Sequence, residues 1–334
     1  MTQLQLMDQL SWTQVTDDRL RFFRAIGVDC LLLHLLPKMA DGTDRTSDFI
    51  AMRERVAAHG LTLASLHLHR LPKDQIVFGE PGREAQLERW LTVLRAVGAA
   101  GIPIAGTTFL SVGHFRTARE EGRGGARYLV FDLDQARRDP ASNLLPTTPL
   151  PERYGHDGMP TEELWENFAW FWRRVVPVAQ EAGVKLALHP DDPPVHVPLG
   201  GGARIVSSLD DYQRIFDLAP APANTMLFCQ GCVQEMGVDV PDAIRQIGAL
   251  DKIALVHFRT VRGTPQRFAE VFVDEGDVDM LHAMQTYRDV GFTGPYLMDH
   301  MPEMPAPFDQ FHGKAYANGY VKALIQAVYG RNNA

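Results

Sequence analysis

The sequence predicts a closed (β/α)8 barrel, a TIM barrel, formed as one domain over residues 1–334 with a long insertion after the fourth strand. Three observations predict it. Short apolar runs alternate with amphipathic segments eight times along the chain. Several of the amphipathic segments stop at a glycine, as helices do. No glycine-rich phosphate turn follows the first strand, as it would in an open dinucleotide-binding sheet. Gly200-Gly-Gly202 is the only glycine run; it stands well beyond the fifth strand and reads as a flexible loop.

Taken in order, Leu4 to Met7 is the first strand, and Asp17 to Ile26 its helix, stopped by Gly27. Cys30 to Leu35 is the second strand, with a helix over Ser47 to Ala58. Leu61 to Leu68 is the third, ending in His67 and His69, and Arg83 to Ala99 the helix after it. Ile102 to Leu110 is the fourth strand. The rhythm then breaks: residues 111–160 are rich in Gly, Arg, Pro and Asp and read as an inserted loop on the strand-end face, a lid or an oligomer contact. It returns at Thr161, a candidate N-cap for a helix running to Ala182. The fifth strand is Val184 to His189, the sixth Thr225 to Cys229, the seventh Ile253 to Phe258 and the eighth Tyr296 to Asp299. Helices over Leu209 to Leu218, Val240 to Ile247, Val278 to Val290 and Gly313 to Val328 follow them in turn.

Composition narrows the function. A net charge of -8 and a pI near 5.8 argue against nucleic acid as the main partner. The basic residues between Arg116 and Arg127 are interrupted by acids and read as a solvated loop. No apolar run approaches the ~20 residues that span a membrane. Met1-Thr-Gln-Leu-Gln lacks the basic-then-apolar pattern of a secretory signal. Three cysteines (Cys30, Cys229, Cys232) make no disulfide framework, and a cytoplasmic location is expected.

The chemistry gathers at strand ends. Gly183-Val-Lys-Leu-Ala-Leu-His-Pro-Asp-Asp-Pro-Pro194 is a buried strand ending in His189, with Asp191 and Asp192 directly after it between prolines. His189, Cys229, His257 and Asp299 stand at the ends of four successive strands, 40, 28 and 42 residues apart. In a barrel those ends line one arc of the mouth. Two imidazoles, a thiolate and a carboxylate suit Mn2+, Fe2+, Co2+ or Zn2+, and the thiolate argues against Mg2+ or Ca2+. Singly, each has an ordinary structural explanation: a hydrogen-bonded histidine, a small buried hydrophobe, a cap. Four at successive strand ends are harder to explain in that way.

These residues resemble the mannonate dehydratases, within the xylose-isomerase-like barrels. The resemblance spans most of the chain. It is strongest in Gly183 to Pro194, Arg204-Ile-Val206, Phe228-Cys-Gln-Gly231, Val256-His-Phe-Arg259 and Asp299-His300, and looser in Arg83 to Gly101 and Phe115-Arg-Thr117. It implies a Mn2+- or Fe2+-dependent hydro-lyase of glucuronate catabolism that converts D-mannonate to 2-keto-3-deoxygluconate, and a homo-oligomer. His189, Cys229, His257 and Asp299 then match metal ligands, His300 a catalytic histidine and Arg259 a substrate-contacting arginine. Asp191 is counted with them as a candidate catalytic carboxylate. The chemistry agrees: a metal stabilises enediolate charge, a histidine moves the proton and an arginine forks a carboxylate. A structural ion pair of Arg259 with Asp274, Glu275 or Asp277 is the plainer alternative.

The chain departs from the family pattern in three places. Leu297-Met298 and Met301 flank Asp299-His300 where the family has Arg-Pro and Gly. Phe308 stands where the family has a catalytic tyrosine, and Tyr316, on a helix, is expected to point elsewhere. Cys232 replaces a small hydroxyl residue and makes a Cys-x-x-Cys pair with Cys229, a zinc-like signature. The substrate is therefore D-mannonate or a related aldonate. A sugar or sugar-acid isomerase or epimerase, for which His34, His67 and His69 are available, and a non-catalytic sugar-acid-binding protein are the alternatives.

Overall fold

The computed structural model describes residues 5–330, so the start of the expected first strand at Leu4 lies outside the described residues. From the N-terminus the chain forms β1 (Leu6–Ser11), α1 (Asp17–Ala25), β2 (Cys30–His34), α2 (Thr46–Ala57), β3 (Thr62–His67), α3 (Asp74–Val77), α4 (Arg83–Ala99) and β4 (Ile104–Thr107). The insertion carries β5 (Ala118–Glu121), β6 (Arg127–Asp132) and α5 (Leu133–Arg138). Then come α6 (Thr161–Glu181), β7 (Lys185–Leu188), α7 (Leu209–Leu218), β8 (Asn224–Cys229), α8 (Gln230–Glu235), α9 (Val240–Ala249) and β9 (Ile253–His257). The chain ends with β10 (Val261–Thr264), β11 (Arg267–Glu270), α10 (Met280–Asp289), β12 (Tyr296–Leu297) and α11 (Gln310–Tyr329).

Eight parallel strands close the barrel in the order β1-β12-β9-β8-β7-β4-β3-β2. Closure is made where Leu6 and Met7 pair with Tyr296 and Leu297. Helix starts follow local chemistry: Thr16, Ser208, Asp239 and Asp279 each accept a hydrogen bond from the backbone N–H three residues on. Thr161 is a correction, because Pro160 occupies the cap position without a side-chain cap bond and Thr161 is already helical.

The strand period of two sorts side chains between the barrel interior and the helix layer. Met7, Leu32, Leu227, Leu255 and Leu297 fill the interior. Their sequence neighbours Leu33, Met226, Phe228, Val256 and Tyr296 face outward and pack with Trp90, Trp172 and Tyr287 in the larger core. Each large buried side chain is worth about 1.5–3 kcal/mol. A buried link ties the last helix to the first strand: Asp8 meets Lys314 and accepts from Asn318 Nδ2 at 2.6 Å.

Residues 111–160 are more structured than composition suggests. β5 and β6 join the hairpin β10–β11 in a four-stranded antiparallel sheet. That hairpin directly follows β9 and was not expected from sequence. Gly200-Gly-Gly202 is a packed turn and not a loose loop: Leu199 and Gly202 bridge, and a Cβ at Gly202 would fall 2.2 Å from Val112 Cγ2. Among the described residues, no helix is long and apolar enough to cross a membrane.

Candidate active site and metal cradle

Each strand-end candidate stands two residues beyond a side chain that faces the barrel interior. Ala187, Leu227, Leu255 and Leu297 point inward. By the same period His189, Cys229, His257 and Asp299 follow them into the mouth. The eighth strand stops at Leu297, so Asp299 is held by its own backbone, at φ 69°, a conformation uncommon for a non-glycine residue. Its carbonyl accepts from Gln9 Nε2 at 2.7 Å.

Cys229 is the hub. It shares one group of close donor atoms with His257 and Asp299 and another with His189 and Cys232, each group within 4.8 Å internally. Burial pushes the Cys229 thiol up, but a hydrogen bond from Cys232 and the charges of Arg259 and His189 hold it well below a normal thiol. Burial and the neighbouring Cys229 push the Cys232 thiol up. The electrostatics thus favour the thiolate at Cys229 and the thiol at Cys232, which stands on α8.

Both histidines bring a ring nitrogen close to Cys229. His189 Nδ1 stands 2.7 Å from the Pro190 carbonyl, which fixes that nitrogen as the donor and leaves Nε2 bare. His257 is buried with no hydrogen-bond partner on either ring nitrogen, although Asp299 Oδ2 lies 3.4 Å from Nδ1. Burial lowers its pKa, but the negative charges of Asp299 and Cys229 prevail and raise it to about 9. Asp299 is held well below the usual carboxylate range, His257 and His300 outweighing its burial. An orphaned buried imidazole beside a thiolate and a carboxylate is a donor set suited to a divalent transition metal.

Beneath the cradle lies an ion network. Arg259 Nε reaches Asp299 Oδ2 at 3.2 Å, Nη1 reaches Glu235 at 3.1 Å, and Nη2 reaches Asp192 at 3.3 Å and Cys232 Sγ at 3.2 Å. It pairs with none of Asp274, Glu275 and Asp277. Gly231 makes room for it, since a Cβ there would fall 2.2 Å from Arg259 Nη1. Arg116 corrects the expectation of a solvated basic loop. It is 1% exposed and its Nη2 reaches Asp192 Oδ1 and Glu270 Oε1, both at 2.5 Å. Burial raises the Glu235 carboxyl well above normal, Asp192's charge adding to the effect, and Glu235 Oε2 has no hydrogen-bond partner.

The cradle opens into a cleft of about 360 Å3. His189, His257, Asp299 and His300 line it on one side and His34, His67 and His69 on the other. Arg116 and Leu145 bring the insertion to its rim. His300 is 41% exposed, with Nε2 3.3 Å from Asp299 Oδ2 and Nδ1 3.4 Å from Glu270 Oε2.

Three residues singled out in the sequence fall elsewhere. Asp191 turns away from the cleft: its Oδ2 accepts from the Ile205 and Val206 N–H groups, both at 2.9 Å, and from Ser207 Oγ at 3.1 Å. Asp192, its neighbour, lines the cleft in its place. Phe308 is 50% exposed, and Tyr316 lies out by Arg123 and Asp274, so neither brings a hydroxyl to the cleft. Sequence reasoning missed Arg116, Asp192, Glu235 and Glu270. The Asp-Asp-Pro-Pro run was a signal for Asp192, and the looser likeness at Phe115-Arg-Thr117 one for Arg116; Glu235 and Glu270 have none that is local.

A profile of the family described as D-mannonate dehydratase (UxuA) matches residues 19–332. Mannonate dehydratase 2 of Halalkalibacterium halodurans is 28% identical over 300 residues, 82% of this chain and 86% of the relative. The mannonate dehydratase of Enterococcus faecalis is 29% identical over 336 residues, 92% and 93% of the two chains. The crystal structure of mannonate dehydratase from Streptococcus suis serotype 2 superposes with a TM-score of 0.84 at 24% identity, over 98% of this chain and 94% of that one.

Proposed function

The chain belongs to the D-mannonate dehydratase family, hydro-lyases of a sugar acid, and on that premise we propose that it dehydrates D-mannonate or a related aldonate to a 2-keto-3-deoxy acid. The observation that carries the reading is the cradle of inward strand-end donors around Cys229. His189, Cys229, His257 and Asp299 would hold Mn2+ or Fe2+, with Zn2+ or Co2+ as substitutes. When bound, the metal supplies positive charge where the substrate carboxylate takes on enediolate character.

The remaining steps belong to the protein's own side chains. His300 is the exposed imidazole beside the cradle, braced between Asp299 and Glu270. It takes the proton from C2 of the substrate as the C3–O bond breaks. The departing hydroxide takes that proton back from the imidazolium and leaves as water. The enol left between C2 and C3 moves its hydroxyl proton to C3 and becomes the 2-ketone. One imidazole closes the proton balance in a cleft without a tyrosine hydroxyl.

Arg259 and Asp191 are positioning residues in this reading. Arg259 holds Asp299, Asp192 and Glu235 from below, and its guanidinium is already engaged. Asp191 fastens residues 205–207 beneath the strand end. A reducing cytoplasm suits the free thiols, and a homo-oligomer is part of the same proposal, read by light scattering.

The test is an anaerobic assay of the Mn2+- and Fe2+-loaded protein on D-mannonate. A 2-keto-3-deoxy acid is expected. No product with either metal would remove the mannonate reading, and an isomeric product of unchanged mass would replace it with an isomerase.

A further inference from the structure

Across the cleft from the cradle, three histidines meet whose nitrogens the reaction above does not use. His34 ends β2, His67 ends β3 and His69 follows it. The strand period turns them inward: Leu33, Leu66 and Leu68 face the helix layer, so His34, His67 and His69 face the mouth. Their ring centroids lie 5.2, 5.0 and 4.7 Å apart, and one nitrogen from each falls within 4.8 Å of the others.

The buried nitrogens lack partners. His67 Nδ1 and Nε2, His34 Nδ1 and His69 Nδ1 are shielded from solvent and accept or donate nothing. Leaving such groups unpaired costs about 1–3 kcal/mol each, so the arrangement is shaped for something it binds. The fold makes specific room for it. Gly106 on β4 admits the His67 ring, for a Cβ there would fall 2.2 Å from His67 Cδ2.

The tautomer of His34 is fixed. Gln9 Nε2 donates to the Asp299 carbonyl, so Gln9 Oε1 must face His34 Nε2, 2.7 Å away. Nε2 then carries the proton, and Nδ1, buried and without a hydrogen-bond partner, keeps its lone pair. This is the outer-shell arrangement that orients histidine ligands in metal sites. Burial, then the positive charge of Arg70, brings the His34 pKa down to about 4. Burial and mutual repulsion hold His67 and His69 well below normal. Neutral imidazole is the form that ligates.

We propose that His34, His67 and His69 form a second metal site, separate from the Cys229 cradle, for a Zn2+-class divalent cation. No carboxylate stands in the triad, which disfavours Mg2+ and Ca2+. Three imidazoles leave the fourth tetrahedral position open to the cleft, as in catalytic zinc sites. Bound nitrogens stand about 3.4 Å apart when Zn–N is about 2.0–2.1 Å, so the rings close inward on the ion. The exposed Arg70, whose Nε is 3.3 Å from His69 Nε2, turns outward as they do.

The proposal is tested with Co2+ alone, so it stands or falls apart from the dehydratase reading. Dialysed wild-type protein is expected to take up about two Co2+ per chain. Cys229→Ala/His257→Ala, folded by circular dichroism, keeps one of them and loses the thiolate-to-cobalt charge-transfer absorption. His34→Asn/His67→Asn loses one and retains that absorption. Gln9→Ala weakens cobalt at the imidazoles about ten- to a hundredfold. A folded Cys229→Ala/His257→Ala protein that binds no Co2+ overturns the proposal. So does a folded His34→Asn/His67→Asn protein that binds as much as wild type, a result readable even if the cradle variant does not fold.

Discussion

The two walls of the cleft are built from the same residue type by the same strand period, yet their electrostatics are opposite. On the β9–β12 wall, His257 sits among anions and its pKa rises to about 9. On the β2–β3 wall, His67 has only other histidines as charged neighbours, and burial leaves it neutral. Closest approach does not equalise them, for the His67 and His257 ring centroids are 6.4 Å apart. A buried histidine is therefore set by its partners more than by its depth. One wall is a lattice of opposite charges around His257; the other is a set of neutral imidazoles.

The comparison breaks most completely if the charged wall is dismantled. Cys229→Ala/His257→Ala is expected to abolish both cradle metal and dehydration, read by elemental analysis and product assay. A variant that keeps full turnover would place the chemistry on the opposite wall. His300→Asn separates holding the metal from moving the proton. It should lower kcat by about 10²–10⁴-fold while metal content stays unchanged, and an equal loss of metal would make His300 a ligand.

Arg116→Met probes the lattice under the charged wall. It leaves Asp192 and Glu270 buried with only the longer contacts of Arg259, at 3.3 and 3.9 Å, so urea unfolding should show a loss approaching about 3–5 kcal/mol. An isostable variant would mean that the network is not paired as described. The neutral wall gives the smallest effect. Lys73, which donates to the His69 carbonyl at 2.8 Å, has its pKa lowered by burial to about 8. The unfolded chain keeps that proton up to about pH 10.4. Between pH 8 and 10.4 the unfolded state binds more protons, so this lysine makes stability rise with pH. Its slope approaches about 1.4 kcal/mol per pH unit at most, and Lys73→Met should flatten that part of the profile.

The barrel was legible because it rests on local periodicity. Leu227 and Cys229, or Leu255 and His257, carry their inward direction in their own spacing. The cradle was legible for the same reason, with four candidate donors about one strand-helix unit apart. Arg116 was not. Its acids stand 76 and 154 residues away, and only a folded chain brings Asp192 and Glu270 to it. The hairpin β10–β11 was hidden likewise, since β11 pairs with β6. Asp191 and Asp192 are adjacent in sequence and face opposite ways, a distinction made by the backbone of residues 205–207. His34, His67 and His69 were visible one by one, but their convergence needs β2 to register against β3, His34 opposite His67.

The four-stranded sheet over the mouth has a consequence for how the protein comes together. Its strands are drawn from residues 118–132 and 261–270, on either side of β7, β8 and β9. The earlier pair cannot find the later one until the chain between them has been made, and non-local pairings of this kind form slowly. The staves β7, β8 and β9, consecutive in the barrel and formed between the two halves of the rim, can thus pair before the rim does. Hydrogen exchange should find the rim strands opening at lower free energy than the barrel staves. A chain that pauses at this stage would expose the ends of those staves with no rim over them.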